Sequence, residues 1–116
     1  MSKAANAGEL RTPVRFVKLV SAVDDEGYPA ENEEDVFDKP VLVKWVNAHG
    51  TESFAAMQLQ LREPATVTMR YSPEIDTSLI LYKRNDPKPY EIISVDNVGE
   101  RDAWLELKVQ RKEAAR

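Results

Sequence analysis

Short runs of alternating apolar and polar residues dominate this chain and predict β-strands. The clearest run is 65–71, where Val67, Met69 and Tyr71 alternate with polar neighbours. A period of two places these side chains on one face of a strand, which is then expected to be buried. Runs of this kind predict strands at residues 10–20, 40–48, 65–71, 78–84, 90–98 and 103–110.

The first predicted strand has an ambiguous facing. Val14 and Phe16 share one phase, whereas Val17 and Leu19 share the other. A β-bulge, which inserts one extra residue into a strand, can bring both sets towards one core.

The strand pattern is interrupted at residues 49–64. His49 begins a turn, Thr51 or Ser53 can cap a helix, and Pro64 ends it. The intervening sequence "FAAMQLQL" is rich in helix-forming residues. The sequence therefore predicts one short inserted helix. Its apolar face, at spacings of three and four residues, comprises Phe54, Met57 and Leu61.

A strongly acidic segment lies early in the chain, at residues 21–39. Gly27 and Pro29 break any regular element there, so the sequence predicts a long acidic loop. The carboxylates lack the ordered spacing of an EF-hand calcium site. The interpretations left open are a solvated loop and a functional one. The carboxylates singled out as candidates are Asp24, Asp25, Glu26, Glu31, Glu33, Glu34 and Asp35.

Six short strands at this spacing predict a mainly β protein. We expect a small six-stranded β-barrel, SH3-like or similar, because closure hides the strand edges of a small sheet. The inserted helix would then cover one mouth of the barrel. The domain organisation expected is a flexible N-terminal arm at 1–9, one barrel domain at 10–112 and a C-terminal tail at 113–116.

The amino-acid composition argues against several classes of protein function. Among the 116 residues there is no cysteine and one histidine, which leaves no thiolate nucleophile and no typical zinc site. The net charge is −4, with 20 acidic and 16 basic residues. No apolar run approaches the length that spans a membrane. We therefore expect no metal, no cofactor, no membrane and no catalysis, and interpret His49 as a turn residue rather than the base of a Ser53 nucleophile.

The C-terminal strand carries the alternative hypothesis, a small nucleic-acid-binding barrel. Trp104 lies among basic residues, and such barrels combine aromatic side chains with basic ones. However, Glu100, Asp102 and Glu106 interrupt the basic run. An outward-facing Trp104 would also suit a protein interface, where tryptophan is enriched, and an inward-facing one would belong to the core. The basic residues in question are Arg101, Lys108, Arg111, Lys112 and Arg116.

Four segments occur in a recognisable order: "GELRTPVRF", "VLVKWVNAHGTESFAAMQLQ", "VTMRYSPEID" and "YEIISVDNVGERDAWLELKVQRK". Within them the motif positions are Gly8, Leu10, Arg11, Trp45, Glu52, Phe54, Ala55, Gln58, Arg70, Tyr71, Pro73, Ile75, Tyr90, Ile92, Ser94 and Val95. This ordered set, over residues 8–112, resembles the phage head–tail joining family, the small head-completion adaptors or stoppers of tailed bacteriophages. The departure lies at 83–89, where "KRNDPKP" replaces the compact glycine-containing turn of many members.

The resemblance implies a fold, a place and an assembly. It implies a six-stranded barrel with one short helix, assembled as a ring, commonly twelvefold, beneath the portal. Such a ring extends the DNA channel and presents the surface on which the tail docks. The expected partners are the portal or a portal-bound adaptor, the tail or its terminator protein, and packaged double-stranded DNA that passes without specific binding. The expected location is the virion, with assembly in the host cytoplasm.

The resemblance also assigns candidate surfaces. In stopper-type members a long loop enters the channel and helps to retain DNA, so the acidic segment becomes a channel-facing or interface loop. Acidic side chains that face the lumen would repel phosphate and keep passage smooth. The candidate contacts with neighbouring subunits or the portal are Gln58, Gln60, Trp104, Arg111 and Lys112.

Overall fold

A computed structural model describes residues 7–48 and 61–112, and every regular element in this part of the chain is a strand or a short 3₁₀ turn. The 3₁₀ turns cover Ala7–Glu9 and Val98–Glu100. Phe54 and Met57 of the predicted helix lie outside the described residues, whereas Leu61, the last member of its predicted apolar face, is half-buried and not helical. The strands are β1 (Thr12–Val23), β2 (Pro29–Asp35), β3 (Val41–Asn47), β4 (Ala65–Arg70), β5 (Ile80–Lys83), β6 (Tyr90–Asn97) and β7 (Trp104–Arg111).

Six of these strands form the predicted closed barrel. Their order is β1-β3-β4-β7-β6-β5, and pairing of β5 with β1 completes the circle, with every pair antiparallel. Closure leaves these strands without a free edge over the barrel itself. The seventh strand, β2, pairs only with β1 and lies outside the circle. The mainly β, six-stranded architecture predicted from the sequence is confirmed.

The barrel interior holds the apolar residues that the alternation singles out. Val67 and Met69 of β4 are buried, and so are Leu105, Leu107 and Val109 of β7. The two strands pair side by side, so that these side chains form adjacent rows in the core. Phe16 packs edge-on against Phe37, with ring centroids 6.1 Å apart. Burial of these rows, rather than local propensity, is the main stabilising term.

The bulge that could reconcile the two phases of the first strand is not seen, since β1 pairs with β2, β3 and β5 without a register shift. β1 pairs with β2 up to Val17–Asp35 and then with β3 from Val14–Val41. Residues 36–40 connect these two ladders, and the Val36 N–H donates to the Phe16 carbonyl at 2.9 Å. Because the interruption is in the partner, β1 remains continuous while Phe16 and Val17 are both buried.

The prediction of a long loop across 21–39 is corrected by the structure. β1 extends to Val23, and β2 pairs with it over seven residue pairs, so that the irregular residues are the turn at 24–28 and the bend at 36–39. We call residues 18–35 the acidic hairpin. Both of its faces are largely exposed, so no alternation of buried and polar residues marks its second strand. The hairpin projects from the barrel and contributes to an overall extent of 56 × 32 × 27 Å.

Candidate functional site

The tip of the acidic hairpin is a turn organised by Asp24. Its carboxylate accepts hydrogen bonds from the backbone N–H groups of Glu26 and Tyr28, both at 2.9 Å. Gly27 supports the turn with a φ of +86°, a conformation that other residues rarely adopt. The chain reverses tightly here, because the Gly27 N–H also donates to the Asp24 carbonyl at 3.0 Å. The tip is therefore a hydrogen-bonded turn with a defined conformation rather than an irregular loop.

The stem of the hairpin separates its charge between two faces. Glu31, Glu33 and Asp35 occupy alternate positions of β2 and therefore share one face, which we call the acidic face. The opposite face carries Glu34, whose carboxylate lies 3.9 Å from the Lys18 ammonium. The other side chains on that face are small or uncharged, namely Val20, Ala22, Ala30 and Asn32.

The acidic hairpin is attached to the barrel through a polar cluster at its base. The Arg15 guanidinium donates to Asp35 at 2.8 Å and lies 4.8 Å from the ring centroid of Tyr82. The Tyr82 hydroxyl donates to Glu33 at 2.7 Å, and this bond raises the pKa of Tyr82. These contacts join β1, β2 and β5, and thereby fix the direction in which the hairpin leaves the barrel. Sequence reasoning missed this cluster, because its members meet only through strand register.

Exposed apolar side chains lie beside the acids at the tip. Val23 is 70% exposed and Tyr28 is 64% exposed, which are the two highest values among the large apolar residues of the described chain. They flank the turn that contains Asp25 and Glu26. A pair of exposed apolar groups next to carboxylates is suited to contact with another surface.

A groove lies on the barrel, beside the base of the acidic hairpin. Its volume is about 480 Å³, and it is bounded mainly by β1, Pro40 and the β5–β6 turn. Three prolines and Val14 line it together with charged side chains of both signs, and Arg84 is exposed at its rim. No sequence motif indicates this groove, since three separate segments form it. The lining residues are Pro13, Val14, Arg15, Pro40, Tyr82, Lys83, Arg84, Asn85, Asp86 and Pro87.

Arg111, predicted as an interface residue, engages its own barrel. Its guanidinium donates to Glu63 at 2.9 Å and to Asp86 at 3.0 Å, and stacks 4.2 Å from the Tyr90 centroid. The side chain is only 17% exposed, and its Nε is buried without a hydrogen-bond partner among the described residues. Burial opposes the charged form, but the hydrogen bonds to the two carboxylates outweigh it, and the pKa of Arg111 is raised.

The other predicted interface residues have mixed placements. Trp104 is half-buried on the outer side of β7, where the Arg70 guanidinium lies 5.5 Å from its ring centroid. Lys112 is half-buried, and its N–H donates to the Pro89 carbonyl. Gln58 and Gln60 lie outside the described residues, as do His49 and Ser53. The structure brings the acidic candidates together on one hairpin, far from Trp104 in the strand order.

Residues 7–48 and 61–112 contain neither a cluster of metal ligands nor a membrane-spanning helix. No group of three or more His, Cys, Asp or Glu side chains in these ranges is placed to hold a metal ion, despite the clustered acids. No helix in them is long and apolar enough to cross a membrane.

The fold is similar to solved structures of diverse origin. Protein SF1141 from Shigella flexneri 2a matches with a TM-score of 0.70 and 18% identity, over 96% of this chain and 100% of that one. A chain in the virion of a native gene transfer agent particle matches with a TM-score of 0.56 and 14% identity, over 90% of this chain and 98% of that one. No curated protein matches the sequence.

The family comparison covers nearly the whole chain. The sequence model for the phage head completion protein matches residues 5–113. This range includes all seven strands, the acidic hairpin and the groove. The resemblance inferred from the ordered motifs is confirmed, and the chain belongs to the phage head completion protein family.

Proposed function

We propose that this protein is a head-completion connector of a tailed bacteriophage that forms a ring beneath the portal and joins head to tail. Membership of the phage head completion protein family supports a structural role in completing the phage head. The similar fold in a gene transfer agent virion supports a place in the particle. The proposal assigns no catalytic step, because the family is one of structural proteins.

The observation that carries the proposal is the acidic hairpin. A closed barrel needs no seventh strand for its core, yet β1 and β2 extend about 20 Å beyond it, at roughly 3.3 Å per residue. The extension carries seven carboxylates and one lysine. Such an appendage contributes little to folding and is suited to an external role.

The acidic face is suited to a conduit for DNA. Duplex DNA carries dense negative charge, and proteins that hold it tightly neutralise phosphates with basic side chains. A lumen lined with Glu31, Glu33 and Asp35 would repel phosphate instead and allow passage without specific binding. We therefore assign the stem to the channel, with the barrels as the wall of the ring. Portal and tail proteins would contact the two ends of that wall.

The alternative, a nucleic-acid-binding barrel, loses its main support. It rested on the basic residues of the C-terminal strand, but Arg111 is engaged with Glu63 and Asp86. Lys108 lies 3.6 Å from Glu106 on the same strand. Strand β7 therefore presents paired charges rather than a cationic track.

A stop codon in the gene for this chain tests the proposed function. Electron microscopy of the lysate should show separate heads and finished tails, because the joint is missing. Full heads would indicate an adaptor that acts after the DNA is secured, whereas empty heads would indicate a stopper that retains it. Normal joined virions would overturn the proposal. Supplying the chain from a plasmid is the control and should restore infectious particles.

A further inference from the structure

The tip of the acidic hairpin and the groove beside its base have complementary chemistry. The tip presents the exposed apolar side chains Val23 and Tyr28 beside carboxylates. The groove presents prolines and an aromatic ring beside Lys83 and Arg84, with Arg84 exposed at the rim. Asp86 and Arg15 also line it, but Arg15 is already paired with Asp35, so Arg84 is the cation offered to a carboxylate. An aromatic ring packs well on proline, and opposite charges around an apolar centre favour docking and set its register.

The tip cannot reach the groove of its own chain. Arg15 lines the groove and is held at the base of the hairpin by Asp35. Val23 lies eight residues further along the same continuous strand, which is about 26 Å at 3.3 Å per residue. The paired strands keep that distance open. A hairpin tip that docks in this groove therefore belongs to another copy of the chain.

We propose that the hairpin tip of one copy of this chain docks in the groove of the next copy. Tyr28 enters between the proline walls, and the carboxylates of Asp25 and Glu26 approach Arg84. This contact joins two different surfaces, so that repetition generates a ring when the rotation closes. The proposal deepens the connector function and rests on it.

The contact is small, which has a consequence for assembly. A hairpin tip buries far less than the roughly 1,200 Å² typical of a stable complex. Free subunits are thus expected to remain monomeric, and the contact to form when the portal brings copies together. The interaction must be tested in assembled particles.

Site-directed cross-linking in particles provides that test. The chain contains no cysteine, so that two introduced cysteines define the reaction. Glu26→Cys is placed at the tip and Pro87→Cys in the groove, and a short bis-maleimide is added to purified virions. We expect a ladder of covalent oligomers that extends beyond the dimer. The matched control combines Glu26→Cys with Ser94→Cys on the outer barrel wall, where Ser94 is exposed and pairs with Lys108. This control should give no ladder.

The remaining outcomes separate this inference from the connector function. One outcome is virions that contain many copies of the chain with Glu26→Cys and Pro87→Cys and still give no ladder. That result would overturn the tip-to-groove contact and leave the connector function intact. A product that stops at the dimer would indicate a reciprocal pair and would also overturn it. Absence of the chain from virions would overturn both proposals.

A charge exchange tests the same contact independently of the cysteines. Asp25→Lys or Arg84→Glu alone should reduce complementation of the stop-codon phage by about three- to tenfold, because a rim charge is reversed. The double variant should recover most of that loss. Tyr28→Ala, which removes the apolar anchor, should reduce complementation by at least about fivefold. Circular dichroism of each variant should match the parent, and a double variant no better than the singles would contradict the contact.

Discussion

The barrel and the acidic hairpin share strand β1 but are held by different forces. On the barrel side, Phe16 and Val17 are buried among apolar neighbours. On the hairpin side, Leu19 is 43% exposed and Val23 is 70% exposed, and the stem depends on backbone pairing and surface charges. One continuous strand therefore passes from a region built for stability to one available for contact.

This difference in burial between the barrel and the hairpin determines which property a substitution will change. Removing apolar volume from a closed core leaves a cavity, whereas trimming an exposed side chain exchanges one solvated surface for another. Changes in the barrel should thus be detected by unfolding measurements. Changes in the hairpin should be detected by assembly.

The largest expected effect is in the core. Phe16→Ala should lower the free energy of unfolding by about 3–5 kcal/mol, because the ring is buried and packs on Phe37. The matched control on the same strand, Leu19→Ala, should change it by less than about 1 kcal/mol. Urea unfolding followed by tryptophan fluorescence measures both. Equal losses would mean that the hairpin is part of the cooperative core.

A smaller effect is expected at the polar end of the barrel. Arg111→Met should cost about 1–3 kcal/mol, since it leaves Glu63 and Asp86 without their shared cation. Lys18→Met removes the exposed hairpin pair with Glu34 and should cost less than about 0.5 kcal/mol. Chemical denaturation compares the two. A neutral Arg111→Met would contradict a structural role for this guanidinium.

Acid should destabilise the barrel through Asp86. The backbone N–H of Lys88 and the Arg111 guanidinium hydrogen-bond its carboxylate and outweigh burial, which lowers the pKa of Asp86. A depressed folded-state pKa gives stability that is fully present above the unfolded value of about 3.9 and is lost as pH falls through the folded value. Asp86→Asn should therefore flatten the loss of melting temperature below about pH 4. Asp96→Asn, whose exposed carboxylate accepts no hydrogen bond from the described residues, is the control and should keep the parent slope.

The smallest effect on stability, with a large effect on function, is expected from shortening the hairpin. Replacing residues 20–32 with Asn-Gly would close the chain directly between Leu19 and Glu33, which are cross-strand partners. The barrel should keep its unfolding free energy within about 1 kcal/mol, because no core residue is removed. The stop-codon phage should nevertheless not be rescued. Full rescue would separate the hairpin from head completion.

The barrel could be predicted from the sequence because strands with one buried face show an alternation of apolar and polar residues. Inward residues such as Leu105 and Leu107 alternate with outward ones, and closure follows from the number and spacing of the strands. The hairpin was mistaken for a loop for the converse reason. Its second strand is exposed on both faces, so that residues 31–35 show no alternation of apolar and polar side chains. Such a run of charged residues resembles a solvated loop.

The candidate site was predictable only in part. Its carboxylates are visible as an acidic segment, and the ordered motifs identified the family. The Arg15–Tyr82 anchor, the groove and the inward engagement of Arg111 arise from strands that are distant in sequence. Only the register of β1 with β5 and of β6 with β7 brings those residues together.

A localised cryo-electron microscopy reconstruction of the virion neck would show directly whether this chain forms a ring beneath the portal and which way its acidic hairpins point. We predict a ring of these barrels beneath the portal, with Glu31, Glu33 and Asp35 facing the DNA channel. A ring with its hairpins directed to the outside of the neck, or no density for this chain at the neck, would contradict it.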